Sequence, residues 1–487
     1  MERETKKVLI VGAGCFGLST AFYLLHDGHD PVTPELASQG QKSRYQVTII
    51  DSSDSVPAID SASYDLNKIV RTSYSDKFYT ALAKEAIGVW KAGNVCGSNT
   101  YHESGVLIVG LRDDGSSDQH GHYADEGLRN DIEAGARIRY LNNTPEVLSV
   151  LPEGVNGGAI FHSGKAFLNQ DGGWASATRA MEAILQNVKD LGADVKVNAK
   201  FKDLSYREDG TLAGVVLEDG RALQADLVVL AMGAWTPLNV PCGVPDEVRS
   251  AFYKLLIATG QPVLTIKMPQ ELAKRYQDVP VTINWETGVC TFPPNEEGIF
   301  KFIHHSNGYT YESPLQTDES KTFVNSESRP STHSSIMVST PRTLRSHGVK
   351  GTQIPSDLLQ YLHEQLKATY PELAKYPLDT TRLCWYMDTP DENFLIDCVP
   401  GFDGSLFIAT GGSGHAFKFL PVIGRLVKDR IEGNMEPEVA IRFGFSRRLD
   451  SSAALHNSRQ GKPKCLDEST MQLWSAEDLN EYTLTKM

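Results

Sequence analysis

The chain has 487 residues, with 47 Lys and Arg against 61 Asp and Glu and a formal charge of −14. That length allows a large buried core in two or three domains, and the acidic balance excludes the general basic field a nucleic-acid binder needs. The seven cysteines show no C-x-x-C or zinc spacing, which predicts a reducing compartment and no structural metal; no apolar run reaches the roughly 18 residues of a membrane span.

The start, Met1 to Lys7, leads into a strand and not into a signal-peptide apolar core. The apolar run Val8-Leu9-Ile10-Val11 then meets Gly12-x-Gly14-x-x-Gly17, and an apolar helix follows to Leu25. The first glycine permits a tight turn, the second lets a pyrophosphate approach the backbone, and the third lets helix and strand pack closely. The phosphates would sit on free N–H groups at the helix start. A glycine-rich turn in an ordinary βα unit is the competing account. His29 to Arg44, with Pro31 and Pro34, reads as an inserted loop. The next strand, Gln46 to Ile50, ends in Asp51, an acid placed to hold a ribose hydroxyl pair and to disfavour a 2′-phosphate; a turn cap is its alternative role.

Lys68 and Arg71 lie three apart beside apolar residues. On a helical turn they would share a face, and Arg offers a planar fork to a carboxylate or flavin edge; spacing alone favours solvated surface cations. Residues 77–91 predict an amphipathic helix, Val106 to Gly110 a strand, and Asp113 to Glu126 a polar loop. Phe167 to Ala175 is expected to open a long helix through Val188. Ala193 to Val197 is a strand, followed by a hairpin-like pair with turns at Asp209-Gly210 and Asp219-Gly220. Ala225 to Trp235 reads as a buried strand returning to a small-residue turn beside the dinucleotide.

Residues 236–375 form a β-rich unit with strands at Gln261–Lys267, Val281–Trp285 and Ile299–His305. On the last, Lys301, Ile303 and His305 share one face, either a polar cluster on a cavity or the solvated face of an edge strand. Ser313 to Thr340 reads as a surface loop or partly disordered insert and Leu358 to Tyr370 as an amphipathic helix. Near the C-terminus the strand Ser405–Thr410 meets a second glycine-rich block, Gly411-Gly412-Ser413-Gly414-His415-Ala416-Phe417-Lys418, before another helix. The tail from Ser446 is polar and expected to wrap the surface, and the closing Thr485-Lys486-Met487 is a degenerate relative of a peroxisomal address.

Taken together, the first glycine turn, the block Asp65-Leu66-Asn67-Lys68-Ile69-Val70-Arg71, and the stretch from Arg382-Leu383-Cys384-Trp385 to Gly411-Gly412-Ser413-Gly414-His415-Ala416-Phe417-Lys418 resemble the FAD-dependent amine oxidases of the sarcosine oxidase and fructosyl-amine oxidase (amadoriase) family, with pipecolate and saccharopine oxidases of fungal type. The resemblance runs from Val8 to about Gly433. It implies an α/β fold: a Rossmann-like FAD-binding domain of the glutathione-reductase/DAO type, with an interleaved α+β substrate domain built on an antiparallel sheet. The FAD-binding domain is assigned to 1–91, 161–235 and 376–445, the substrate domain to 92–160 and 236–375, and the tail to 446–487.

By the same resemblance, Cys384 matches the cysteine that carries FAD through an 8α-thioether; a small buried hydrophobe is its alternative role. Lys418 and Arg71 match the pair at the substrate carboxylate, Lys68 a lysine near the flavin, and Lys301 the lysine credited with oxygen activation. The expected FAD contacts are Gly12, Gly14, Phe16, Gly17, Asp51, Ser63, Lys68, Cys384, Gly412, Gly414, His415, Phe417 and Lys418. Amadoriases place a glutamate four residues after the oxygen-activating lysine, where this chain has His305, as sarcosine oxidases do. The implied substrate is therefore a small secondary amine, an N-alkyl or cyclic amino acid or a related metabolite, oxidised to an imine while O2 becomes H2O2. The expected protein is a monomer in the cytoplasm or peroxisome, with no metal, nucleic acid or membrane as partner. A fructosyl amino acid substrate, a flavin dehydrogenase or tailoring enzyme, a pyridine-nucleotide dehydrogenase and a non-catalytic dinucleotide sensor are the competing readings.

Overall fold

The computed structural model describes residues 5–26, 43–110, 119–162, 165–315, 336–449, 457–459 and 461–468. Most of the expected loop 29–44, the centre of the loop 313–340 and the closing Thr485-Lys486-Met487 lie outside the described residues.

Two sheets carry the fold. The first has, among the described residues, six strands in the order Leu395–Cys398, Leu406–Thr410, Leu227–Leu230, Lys6–Val11, Tyr45–Ile50 and Asp194–Lys196. All neighbours run parallel except the first pair. Its central strands are near-continuous apolar runs, as a parallel sheet covered on both faces requires; Val8 to Val11 and Leu227 to Leu230 are wholly buried. Strand Lys6–Val11 has Tyr45–Ile50 on one side and Leu227–Leu230 on the other. The strand order reverses there, and a crevice opens beyond the strand ends.

Gly12 sits at that crevice with φ +109°, and a Cβ on it would lie 2.4 Å from the Ala231 carbonyl oxygen. The following helix, Cys15–Leu25, is buried along its whole length. Helix Ile423–Glu432 crosses it so closely that a Cβ on Gly424 would stand 2.0 Å from the Ser19 carbonyl oxygen. Ser19 Oγ donates to Leu420 O and accepts from Gly424 N, at 2.7 and 2.8 Å. The two glycine-rich blocks, nearly 400 residues apart in sequence, are thereby fixed side by side.

Among the described residues the second sheet has ten strands. Ile257–Lys267 pairs antiparallel with Ile299–His304 and with Leu378–Asp388, so the strand bearing Cys384 joins the sheet bearing Lys301. Most pairs are antiparallel, as expected, but Val281–Asn284 runs parallel to Val106–Val109, and Tyr309–Thr310 to Lys464–Cys465.

Several local expectations are corrected. The helix Gln119–Glu133 replaces the second half of the polar loop expected over Asp113 to Glu126; Tyr123, Gly127 and Asn130–Asp131 are buried at helical spacing, a stripe of small and polar groups that hydropathy does not reveal. The helix expected from Phe167 begins only at Ala177, after strands Ala166–Asn169 and Gly173–Ala175. Lys68–Val70 is a strand paired with Gly173–Ala175, not a helical turn. The hairpin-like pair is a three-stranded meander, Phe201–Tyr206, Leu212–Leu217 and Ala222–Gln224. The tail does not merely wrap the surface: Arg447, Ser458 and Arg459 are buried.

Candidate active site

A cavity of about 490 Å³ opens between the ten-stranded sheet, which contributes Val263, Ile283, Lys301, Ile303 and Tyr386, and the second glycine-rich turn. Lys68, Arg71, Lys301, His305, Gly414, His415, Phe417 and Lys418 all line it, so the groups expected around the chemistry converge from three separate stretches of chain. Lys301, Ile303 and His305 share a face as expected, and that face is the cavity wall; His305 stands one residue beyond the strand Ile299–His304.

The centre of this polar cluster is Asp65, to which sequence reasoning gave no role. Its Oδ2 lies 2.8 Å from Lys301 Nζ and 2.8 Å from Lys68 Nζ. Arg382 approaches Oδ1 at 3.4 Å. Burial pushes the Asp65 carboxyl up, but Lys301, Lys68 and Arg382 outweigh it and hold the group well below the usual carboxylate range. Lys301 is 1% exposed and also donates to the Asn67 carbonyl at 2.6 Å. Burial pulls its ammonium down to about 8; Asp65 opposes that fall and Lys68 adds to it. Lys68 goes the other way: burial lowers it, and Asp65, with Cys384 and Tyr386, raises it further.

Arg71 and Lys418 form the second cationic pair. Arg71 Nη2 donates to the Tyr123 hydroxyl at 3.2 Å, and the guanidinium lies 4.8 Å from the Tyr74 ring centroid and 5.6 Å from that of Trp285. Its Nη1 is buried with no hydrogen-bond partner among the described residues. An orphaned, permanently charged N–H in a cavity wall is costly unless an anion completes it. Lys418 Nζ donates to the His415 carbonyl at 3.0 Å and stands 5.1 Å from the Tyr74 ring centroid. Burial, then Arg71, holds this lysine well below its ordinary range. His415 bonds Tyr74 Oη through Nδ1 at 3.0 Å and the Glu392 carbonyl through Nε2 at 2.8 Å.

The remaining expected contacts lie behind this cavity. Gly12, Gly14, Phe16 and Gly17 form the turn at the sheet crevice, where Cys15 N donates to Ser63 Oγ at 3.0 Å. A Cβ on Gly14 would meet only Ser63 Oγ, at 3.5 Å; beyond the Cys15 N–H held by Ser63, the helix start has no capping side chain on Gly14 and no acid in its first turn. Open space before unneutralised helix N–H groups fits a diphosphate. Asp51 accepts from Ala13 N at 2.9 Å and Ser53 N at 2.8 Å, so it anchors the turn. A Cβ on Gly412 would lie 3.5 Å from the Phe16 ring, which joins the two glycine turns. Cys384 is buried and does not line the cavity, but its sulfur accepts from Lys68 Nζ at 3.7 Å.

Sequence reasoning also missed Tyr123, Glu392, Arg447 and Ser458, which line the cavity. Asp65 carried a usable signal, an acid three residues before Lys68; Ser458 carried none. Among the described residues no cluster suited to a metal occurs, and no helix is long and apolar enough to cross a membrane.

Comparison with known proteins places the chain in a family. A model of the FAD dependent oxidoreductase family (DAO) matches residues 7–430. L-saccharopine oxidase of Schizosaccharomyces pombe is 31% identical over 89% of this chain and 92% of its own length. Human peroxisomal sarcosine oxidase is 22% identical over 88% of this chain and 92% of its own length. The solved structure of fructosyl peptide oxidase from E. terrenum superposes with a TM-score of 0.78 at 26% identity, covering 98% of this chain and 99% of that one. The match across both sheets and both glycine turns makes the chain a member of the FAD dependent oxidoreductase family, alongside amino-acid and amine oxidases.

Proposed function

We propose that this chain is an oxidase that converts the C–N bond of a small secondary amine bearing a carboxylate, an N-alkyl or cyclic amino acid or a related metabolite, to an imine, with O2 reduced to H2O2. The observation that carries the reading is the buried Arg71 Nη1, unpartnered among the described residues, beside Lys418 in a cavity that also holds Lys301. An amino-acid carboxylate would complete that guanidinium, and the nearby rings of Tyr74, Tyr123 and Trp285 would keep water from it.

FAD, when bound, supplies the two-electron acceptor for the amine and passes the electrons on to oxygen. The turn at Gly12, Gly14 and Gly17 would hold its diphosphate, with Phe16 and Ser63 beside it and Asp51 toward the ribose. The second turn, Gly412, Gly414, His415 and Phe417, would lie against the rest, and Cys384 would carry the covalent 8α-thioether.

The chain's own residues do the positioning. Arg71 and Lys418 fix the carboxylate, and with it the neighbouring carbon. Lys301, tied to Asp65 and the Asn67 carbonyl, presents a fixed positive charge where oxygen gains negative charge, a preorganised electrostatic contribution. His305 offers no charge to a sugar amine, which favours N-alkyl and cyclic amino acids over fructosyl amino acids. The imine then hydrolyses in water, or cyclises if it carries its own nucleophile. We place the enzyme, as a monomer, in the cytoplasm or peroxisome. A panel of N-methyl amino acids, pipecolate, saccharopine and fructosyl amino acids, read by peroxide release, tests the reading. Peroxide from a secondary amino acid is expected; peroxide only from fructosyl compounds, or none, counts against it.

A further inference from the structure

Residues 457–459 enter the site from far along the chain and are firmly held. Arg459 makes a bidentate pair with Asp388, Nη1 to Oδ2 and Nη2 to Oδ1, each 2.8 Å, and reaches Glu392 Oε1 at 3.3 Å. Asn457 Nδ2 donates to the Pro390 carbonyl at 2.8 Å. Between these anchors, Ser458 Oγ lies 2.9 Å from Glu392 Oε2 and 2.9 Å from His305 Nε2.

Hydrogen-bond bookkeeping determines the protons. A carboxylate ion-paired to Arg459 can only accept, so the Ser458 hydroxyl donates its one proton to Glu392. Its oxygen is then left with lone pairs toward His305, and Nε2 must be the donor. In a neutral ring Nδ1 is then the acceptor. Nδ1 has no hydrogen-bond partner among the described residues, and the ring lines the cavity. Burial, then Arg459 and Arg71, with His304 and Lys418, keeps this ring neutral, well below the usual histidine range; Trp285 packs against it edge-on at 6.0 Å.

We propose that Ser458 and Glu392 fix His305 as the Nε2–H tautomer, so that Nδ1 accepts the single N–H of a neutral secondary amine and selects against amines that lack one. The assignment rests on the amine-oxidase reading and deepens it: the carboxylate binds at Arg71 and Lys418, the N–H binds at His305, and these two contacts set which C–H bond is presented. Ser458 and Glu392 are positioning residues, and the C-terminal segment becomes part of the substrate wall.

The test has two arms on the holoenzyme. Nitrogen NMR of the protein labelled at histidine, with His305 assigned by its loss in His305→Asn, is expected to show Nε2 protonated and Nδ1 bare; Ser458→Ala should mix the tautomers and Ser458→Thr should not. The second arm compares kcat/KM for the N-methyl and N,N-dimethyl forms of the amino acid that gives the fastest peroxide release. A hydrogen-bonded site left unpaired predicts a preference of about tenfold or more for the N-methyl form, reduced about tenfold in Ser458→Ala and retained in Ser458→Thr. A protonated Nδ1 in the native enzyme, or a preference that Ser458→Ala leaves unchanged, overturns the inference while amine oxidation stands. Failure to oxidise any amine overturns the functional reading and this inference with it.

Discussion

The ammonium of Lys301 lies 2.8 Å from Oδ2 of Asp65, with both side chains almost fully buried. The same oxygen holds Lys68, so one carboxylate compensates two ammonium groups and part of Arg382. Losing that carboxylate would leave buried cations unpaired, at a cost of about 3–5 kcal/mol. Asp65→Asn should therefore lower the melting temperature by several degrees, as calorimetry would show.

The protonation of Lys301 gives a pH dependence with a definite sign. Its folded-state value is depressed to about 8, so the ammonium is present below that pH and is lost as pH rises through it. If the charge serves oxygen, the rate at which O2 restores the colour of the anaerobically bleached protein should fall above about pH 8. Asp65 opposes the depression, so Asp65→Asn should move the fall to lower pH. Lys301→Met should slow recolouring by about 10²-fold or more below pH 8, with the difference shrinking above it as the wild-type lysine loses its own charge, while leaving anaerobic bleaching by the amine intact. Stopped-flow absorbance separates the two steps, and a recolouring rate unaffected in Lys301→Met would remove the lysine from that role.

Arg71 bears on binding. Removing its charge with Arg71→Met should cost about 1.5–3 kcal/mol of carboxylate recognition, an approximately 10- to 100-fold loss in kcat/KM. The loss should largely vanish for the matching amino amide, which has no carboxylate to recognise. Equal losses for acid and amide would show that Arg71 only shapes the cavity.

The covalent bond assigned to Cys384 is checked by acid precipitation. Flavin should stay with the pelleted wild-type protein and pass to the supernatant from Cys384→Ala. Yellow supernatant from the wild type would refute the thioether.

Gly12→Ala tests the first turn. The positive φ and the 2.4 Å approach to Ala231 O leave no room for a Cβ, and strain there costs about 1–3 kcal/mol. The variant should purify with reduced flavin content, read as the ratio of visible to protein absorbance.

What sequence made legible was mostly local. The strand–turn–helix at Gly12 needed only an apolar run, three glycines and another apolar run, and it folds as expected. Alternation along a strand put Lys301 and His305 on one face without deciding between cavity and solvent; the family resemblance pointed to the site, and the cavity lies on that face. The helix Gln119–Glu133 escaped notice because its buried stripe includes Gly127, Asn130 and Asp131. Asp131 is held there by Ser73 and Asn169, contacts that hydropathy does not encode. Asp65 meets Lys301 across 236 positions and Ser458 meets His305 across 153; no periodicity reports such a meeting. The surface reading of the tail failed for the same reason, since Arg459 is polar by composition and buried by pairing with Asp388.

The most direct measurement is an anaerobic titration of the purified yellow protein with N-methyl and cyclic secondary amino acids, followed by admission of oxygen. The account predicts that at least one of them bleaches the flavin completely and that air restores it with one H2O2 released per amine consumed. A flavin that none of these amines bleaches, or one that recolours without peroxide, would contradict it.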